Sequence, residues 1–315
     1  MADLPGRISL REVGPRDGLQ NEDPVPTAAK IALIDRLSGT GVGRIEAVSF
    51  VRPEAIPQMA DADEVWQGIA RTTSVRYSAL AANLRGARRA LDAGLTEIEV
   101  VVSASDTHNR QNVNRATAES LDDIAVIISE AHARGASCQV VVATAWGCPY
   151  EGDVPVARTV AVAGRAVADG ADSISFGDTT GMATPRRVRE LVGEFRSQHP
   201  AVPLNLHFHN TRGTGLANVL AALELGVDDF DASVGGLGGC PYAPGASGNI
   251  ATEELVHMVE DMGVATGVDL AAMIDAAAEA ERIVGRQLPS QVLRAGPRTR
   301  TTPASTNPRS DSHQP

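Results

Sequence analysis

Leu204-Asn205-Leu206-His207-Phe208-His209-Asn210 is a short apolar run with two histidines two positions apart near its end. Pro203 precedes it, and Thr211-Arg212-Gly213 breaks it before a helical pattern begins. Read as a strand, residues i and i+2 share a face, so His207 and His209 present both imidazoles on one side of the strand's carboxyl end. Two imidazoles side by side suggest a metal. In a barrel of parallel strands and helices, that end is where active sites are built.

Working outward, one unit recurs: an amphipathic helix, a glycine, a few polar residues, then a β-rich run. Gly43 precedes Ile45-Glu46-Ala47-Val48, Gly94 precedes Ile98 to Val101, and Gly135 precedes Gln139 to Val142. Gly170 precedes Ser173 to Phe176, and Gly226 precedes Phe230 to Ser233. With Ile8 to Val13, Val75 to Ala79 and Leu204 to His209, this makes eight strands. Strands and helices alternating at this spacing predict an α/β protein with a parallel sheet closed into a (β/α)8 TIM barrel. A doubly wound open sheet is the competitor, but no dinucleotide fingerprint follows the first strand. A helix from Thr252 and another from Asp269 to about Val284 form a carboxyl-terminal helical extension. The reading is one domain over residues 1–294, with an aperiodic Pro-, Thr-, Ser- and Arg-containing tail over 295–315 expected to be disordered.

The 315 residues carry a formal net charge of −11, and no basic run precedes the tail. This argues against nucleic acid or an anionic membrane as partner. No apolar run approaches the roughly 20 residues of a membrane span, and Met1 to Arg7 lacks a signal-peptide core. A cytoplasmic, soluble protein is expected. Cys138, Cys148 and Cys240 suit reduced thiols better than a disulfide framework.

Three strand ends converge on the predicted barrel mouth. Gly14-Pro15-Arg16-Asp17-Gly18 brings Arg16 and Asp17 from the first strand, and the seventh brings His207 and His209. The glycine-rich run Gly235 to Asn249 brings Asn249 from the loop after the eighth. A carboxylate, two imidazoles and an amide oxygen suit Mg²⁺ or Mn²⁺ better than Zn²⁺, and four protein ligands leave two positions for substrate oxygens. A lone strand-end histidine is more often packed or solvated; the convergence of Asp17 and Asn249 on the same mouth favours the metal. The glycine run lacks the Lys-Ser/Thr of a phosphate-binding loop and reads as a lid.

Arg11 to Glu22, Ser49-Phe50-Val51 with Pro57-Gln58-Met59, Gly177-Asp178-Thr179, His207-Phe208-His209 and Gly235 to Glu253 together resemble the hydroxymethylglutaryl-CoA lyase family. The resemblance covers about residues 5 to 290. It lies within a wider group of metal-dependent barrels that includes isopropylmalate and homocitrate synthases. It implies Asp17, His207, His209 and Asn249 as ligands, Arg16 and Glu46 as the superfamily's arginine and glutamate, and Cys240 as a catalytic cysteine on the lid. It also implies that Asp178 relays protons with His207. Glu12 and Glu46 are expected to face the site, orienting Arg16 or a metal-bound water.

The implied reaction is metal-dependent retro-Claisen cleavage of 3-hydroxy-3-methylglutaryl-CoA to acetyl-CoA and acetoacetate, a step of leucine degradation and ketone-body formation. The implied partners are an acyl-CoA substrate and a second copy of the chain, as a homodimer or larger homo-oligomer. Asn210 stands where family lyases carry Asp, which removes a carboxylate next to the ligands. Arg52 and Glu54 also depart from the family pattern and leave room for a longer-branched glutaryl or a citramalyl thioester. A condensing acyltransferase of the isopropylmalate synthase type and a non-catalytic metal-binding relative are the other readings. The cysteine-bearing loop opposes the first, and the intact Arg16, Asp17 and Cys240 set opposes the second.

Overall fold

The computed structural model describes residues 4–239 and 247–301. Eight parallel strands close a barrel: β1 (Ser9–Glu12), β2 (Arg44–Phe50), β3 (Arg76–Ala81), β4 (Glu97–Ser103), β5 (Ser137–Ala143), β6 (Ser173–Gly177), β7 (Leu204–His207) and β8 (Asp229–Ala232). Each pairs with its neighbours in sequence, and β1 pairs with β8 through Ser9 opposite Asp229 and Glu12 opposite Ala232. Closure thus puts the first strand beside the eighth, as the glycine-to-strand repeat predicts.

The surrounding helices are α1 (Thr27–Ser38), α2 (Ala62–Gly68), α3 (Leu84–Asp92), α4 (Asp106–Val113), α5 (Thr117–Ala133), α6 (Val156–Ala168), α7 (Pro185–Gln198) and α8 (Gly215–Leu223). They are followed by α9 (Thr252–Asp261), α10 (Leu270–Val284) and α11 (Gln291–Ala295). The core between helices and barrel is apolar. On α1, Leu33, Ile34 and Leu37 are fully buried, and on α7 Val188, Leu191, Val192 and Phe195 are too. Their three- and four-residue spacing puts each set on one helix face. Asp269 starts α10 by accepting the backbone N–H groups of Ala271 and Ala272. Thr27, the first residue of α1, donates its hydroxyl to Asp61 Oδ2 at 2.7 Å. Among the described residues, no helix is long and apolar enough to cross a membrane. Most of the expected tail lies outside the described residues.

The barrel interior is polar at the level of the site. Arg11 on β1 reaches Glu99 on β4 at 2.5 Å and grips Asp231 on β8 through two hydrogen bonds of 2.9 and 2.7 Å. Ser78 donates to Glu99, Asn205 to Asp231, and Ser175 to Asn205. β1 and β4 stand three strands apart, so the Arg11–Glu99 pair spans the interior. Charges buried this deeply are tolerated only when paired and hydrogen-bonded.

Candidate active site

Two strand ends depart from regular structure where the site begins. After Val13, residues Gly14–Gly18 form one π-helical turn, with the N–H groups of Arg16, Asp17 and Gly18 all directed at the Val13 carbonyl. Single π turns of this kind recur at functional sites. β7 ends at His207, two residues before the sequence pattern would end it. His209 leaves the ladder for an isolated antiparallel bridge with Asn249. The bridge ties the fourth candidate ligand to the third.

These departures bring the expected residues together. Asp17 Oδ2 accepts a 2.7 Å hydrogen bond from Asn249 Nδ2, and Nε2 of His207 lies 4.0 Å from Asp17 Oδ2. The Nε2 atoms of His207 and His209 are 3.2 Å apart. Asp17, His207 and His209 offer ligand atoms that all lie within 4.8 Å of one another. Two imidazole nitrogens so close need a shared proton or a cation between them. Burial, then the charge of His207, push His209 down to about 4, so its ring stays neutral with a lone pair free. Asn249 Oδ1 is buried without a hydrogen-bond partner among the described residues, and oxygen is the amide atom a hard cation takes. The donor set fits a divalent metal.

Arg16 sits between two carboxylates, with Nη2 2.6 Å from Glu46 and Nη1 2.9 Å from Asp17. Burial works against its charge, but Glu46 and Asp17 outweigh it and hold the guanidinium protonated. Asp17 is half-buried, yet Arg16 and the two histidines pull its carboxyl down to about 2. Burial pushes Glu46 up to about 8 even against Arg16, with Glu99 adding to the rise. Nε of Arg16 is buried without a partner among the described residues, which leaves one N–H of a fixed cation unspent.

Asp231 is the residue missed in the sequence. Its Oδ2 lies 3.1 Å from His207 Nδ1. The pair places a proton on Nδ1 and turns Nε2, with its lone pair, toward Asp17 and His209. Burial alone would raise the Asp231 carboxyl, but Arg11 and His207 hold it well below the usual carboxylate range. The sequence signal was an aspartate amid the apolar residues of Phe230-Asp231-Ala232, of the same parity as the expected interior.

Two expectations change. Asp178, expected to relay protons with His207, has Oδ1 accepting the N–H groups of Met182 and Ala183 ahead of α7 and Oδ2 buried without a hydrogen-bond partner among the described residues. The carboxylate on the His207 ring is Asp231. Glu12 was to face the site, but it has the opposite parity to Arg11 and turns outward. There it accepts the N–H groups of Gly14 and Val234 and the Thr252 hydroxyl, tying the π turn to the glycine loop. Asn210 points away from the ligands and accepts the Gly215 N–H at the start of α8, so a carboxylate there would not lie next to the metal. Glu46 does orient Arg16. Cys240 lies outside the described residues; its neighbour Gly239 lines the cavity of about 470 Å³ that also holds Arg16, Asp17, Arg52, His207 and His209.

The HMGL-like family profile matches residues 7–279. The chain belongs to the HMGL-like family. The hydroxymethylglutaryl-CoA lyase YngG of Bacillus subtilis is 44% identical over 290 residues, covering 92% of this chain and 97% of the relative. The (R)-citramalyl-CoA lyase of Chloroflexus aurantiacus is 44% identical over 301 residues, 92% of this chain and 95% of the relative. An HMG-CoA lyase of Acinetobacter baumannii, solved with coenzyme A and 3-methylmalate, superposes with a TM-score of 0.90 at 44% identity, over 96% of this chain and 99% of that one. The site of this HMGL-like chain is therefore that of a lyase barrel.

Proposed function

We propose that the protein cleaves 3-hydroxy-3-methylglutaryl-CoA to acetyl-CoA and acetoacetate with Mg²⁺ or Mn²⁺ bound by Asp17, His207, His209 and Asn249. The observation that carries this is the convergence of those four side chains beside Arg16, with the buried Asn249 Oδ1 lacking a hydrogen-bond partner among the described residues. The reaction breaks the bond between the hydroxyl-bearing carbon and the carbon next to the thioester. The hydroxyl proton passes to solvent water, the oxygen becomes the ketone of acetoacetate, and the bonding pair becomes a thioester enolate that takes a proton from Cys240, whose thiolate regains one from water. A divalent cation here would supply Lewis acidity, lowering the hydroxyl pKa and fixing the substrate's orientation.

The chain's own groups do the rest. Arg16, held by Glu46, offers its free N–H to the developing enolate oxygen at no cost of reorganisation. Cys240 is the proton donor to the enolate carbon, since a thiol transfers a proton near neutral pH. His207 has one nitrogen on Asp231 and the other in the ligand cluster, so it serves as ligand and not as base. A homodimer or larger assembly in the cytoplasm is part of this reading, and the free, buried thiols of Cys138 and Cys148 support a reducing compartment.

The test is an assay of purified protein with 3-hydroxy-3-methylglutaryl-CoA, with either metal and with chelator, following both products. Metal-dependent cleavage at an ordinary enzymatic rate supports the proposal; a folded, metal-loaded protein that leaves the thioester intact refutes it. A second reading, cleavage of citramalyl-CoA to acetyl-CoA and pyruvate, is favoured by the 44% identity to the (R)-citramalyl-CoA lyase of Chloroflexus aurantiacus. The same assay with that thioester separates the two.

A further inference from the structure

His108 stands near the start of α4, the helix that follows β4. It is 3% exposed, yet it lines the same cavity of about 470 Å³ as Arg16, Asp17, His207 and His209. β4 stands three strands from β1 on one side and three from β7 on the other, which puts His108 across the barrel mouth from the metal ligands. Leu80, Val101 and Val141 make much of that far wall apolar. Glu99, deeper on β4, is charge-compensated by Arg11. Asn112, one helical turn beyond His108, lines the cavity too but is exposed.

A buried histidine is most often a packed one, and the ring of Tyr150 does lie 6.3 Å from this one. The hydrogen bonds assign it more. Nδ1 of His108 is 2.6 Å from the Ser103 hydroxyl, and Ser103 is fully buried at the end of β4. That hydroxyl has one hydrogen, buried donors are rarely left unspent, and Nδ1 is its partner among the described residues. Ser103 therefore donates, and the ring hydrogen sits on Nε2. Burial lowers the imidazole pKa, so the ring is neutral near pH 7. Asn109, the next residue, accepts the Ser103 N–H and donates to Ser120 and to the Arg115 carbonyl, which locks the helix start to the strand end. The cavity wall thus carries a fixed, uncharged N–H donor.

We propose that His108 is a specificity-determining residue whose Nε2–H binds the free carboxylate at the far end of the acyl group. The proposal rests on the thioester reading of the metal site. With the hydroxyl-bearing carbon at the metal ligands and the thioester oxygen at Arg16, the opposite wall is left to the other arm of the acyl chain. A carboxylate arriving there gives up water, and a pre-placed donor replaces one of its hydrogen bonds without bringing a further charge into the cavity. An acyl group that ends in a methyl offers that donor no acceptor.

The test is calorimetric binding of 3-methylglutaryl-CoA and 3-methylbutanoyl-CoA to the Mn²⁺-loaded wild type, His108→Phe and Ser103→Ala. Both thioesters lack the hydroxyl and cannot be cleaved, and they differ only in the terminal carboxylate. The wild type should favour the first, and His108→Phe should bind it about 10- to 100-fold more weakly, the usual worth of a hydrogen bond to a charged group. Binding of 3-methylbutanoyl-CoA and of Mn²⁺ should not move, whereas loss of a merely packed ring would weaken all three together. Ser103→Ala keeps every ring atom but releases the tautomer, so the preference should fall there too, even where His108→Phe fails to fold. If the folded variants keep the wild-type ratio, or lose all ligands in parallel, the assignment is overturned. A wild type that binds both thioesters equally refutes this proposal alone; one that binds neither refutes the thioester reading, and this proposal with it.

Discussion

His207 Nδ1 lies 3.1 Å from Asp231 Oδ2, and Asp231 is in turn gripped by two hydrogen bonds from Arg11. The ring's orientation is therefore set from the barrel interior, while its other nitrogen faces Asp17 and His209. Carboxylates that hold a metal-ligating histidine in this way fix its tautomer and raise its basicity.

Asp231→Asn should keep the fold and weaken Mn²⁺ binding about 10- to 100-fold, the usual effect of losing such a partner. Titration calorimetry with Mn²⁺ checks it. An affinity equal to wild type would mean that Asp231 serves the Arg11 network alone.

Arg11→Met tests that network. It leaves Asp231 and Glu99, both buried, without their cation, and breaking a buried pair from one side costs about 3–5 kcal/mol. Urea denaturation should show a loss of that size, against less than about 1 kcal/mol for Arg76→Met at the exposed pair with Glu97. Similar losses for the two variants would show that the interior charges are not a structural unit.

Much of this was legible in the sequence, and the misses share a cause. Glycine-then-strand spacing is local, so Gly43, Gly94, Gly135, Gly170 and Gly226 announce their strands without any tertiary information. Asp17, His207, His209 and Asn249 could be assembled because all four sit at the ends of neighbouring strands, and strand order follows from the fold. Arg11, Glu99 and Asp231 could not. Within β-rich runs, a charged residue reads as solvent-facing unless its partner across the barrel is known, and Arg11 and Glu99 are 88 positions apart in the chain. Glu12 failed for a subtler reason: one step of strand parity separates the barrel interior from the helix side. The strand stops short of His209 because a bridge to Asn249, 40 positions on, takes over from the ladder.

Gly238 should tolerate no side chain. Its φ of +113° is strained for any L-residue, and a Cβ would come 2.9 Å from Asn249 Nδ2. Gly238→Ala should displace the Asn249 amide and weaken Mn²⁺ binding, whereas Gly193→Ala on α7, where a Cβ meets nothing within 4 Å, should leave it unchanged. Equal affinity in the two variants would remove Asn249 from the ligand set.

Glu253 makes stability depend on pH in an unusual direction. It is fully buried; the Gly235 N–H donates to its Oε2, while its Oε1 has no hydrogen-bond partner among the described residues. Burial pushes its pKa up from 4.5 to about 7, despite a hydrogen bond with the Ser290 side chain and backbone hydrogen bonds that oppose the rise. Between those values the folded chain holds a proton that the unfolded chain has released, so this group's contribution falls as pH rises. Below about 4.5 and above about 7 both states agree in protonation, and the contribution is level. Glu253→Gln removes the effect, because the amide stays neutral and can still accept from Gly235. Its stability relative to wild type should therefore improve across that window by up to about 1.4 kcal/mol per pH unit. Urea denaturation of both proteins at pH 5, 6 and 8 decides the matter. A stability difference that stays constant with pH would mean that Glu253 is ionised in the folded chain throughout.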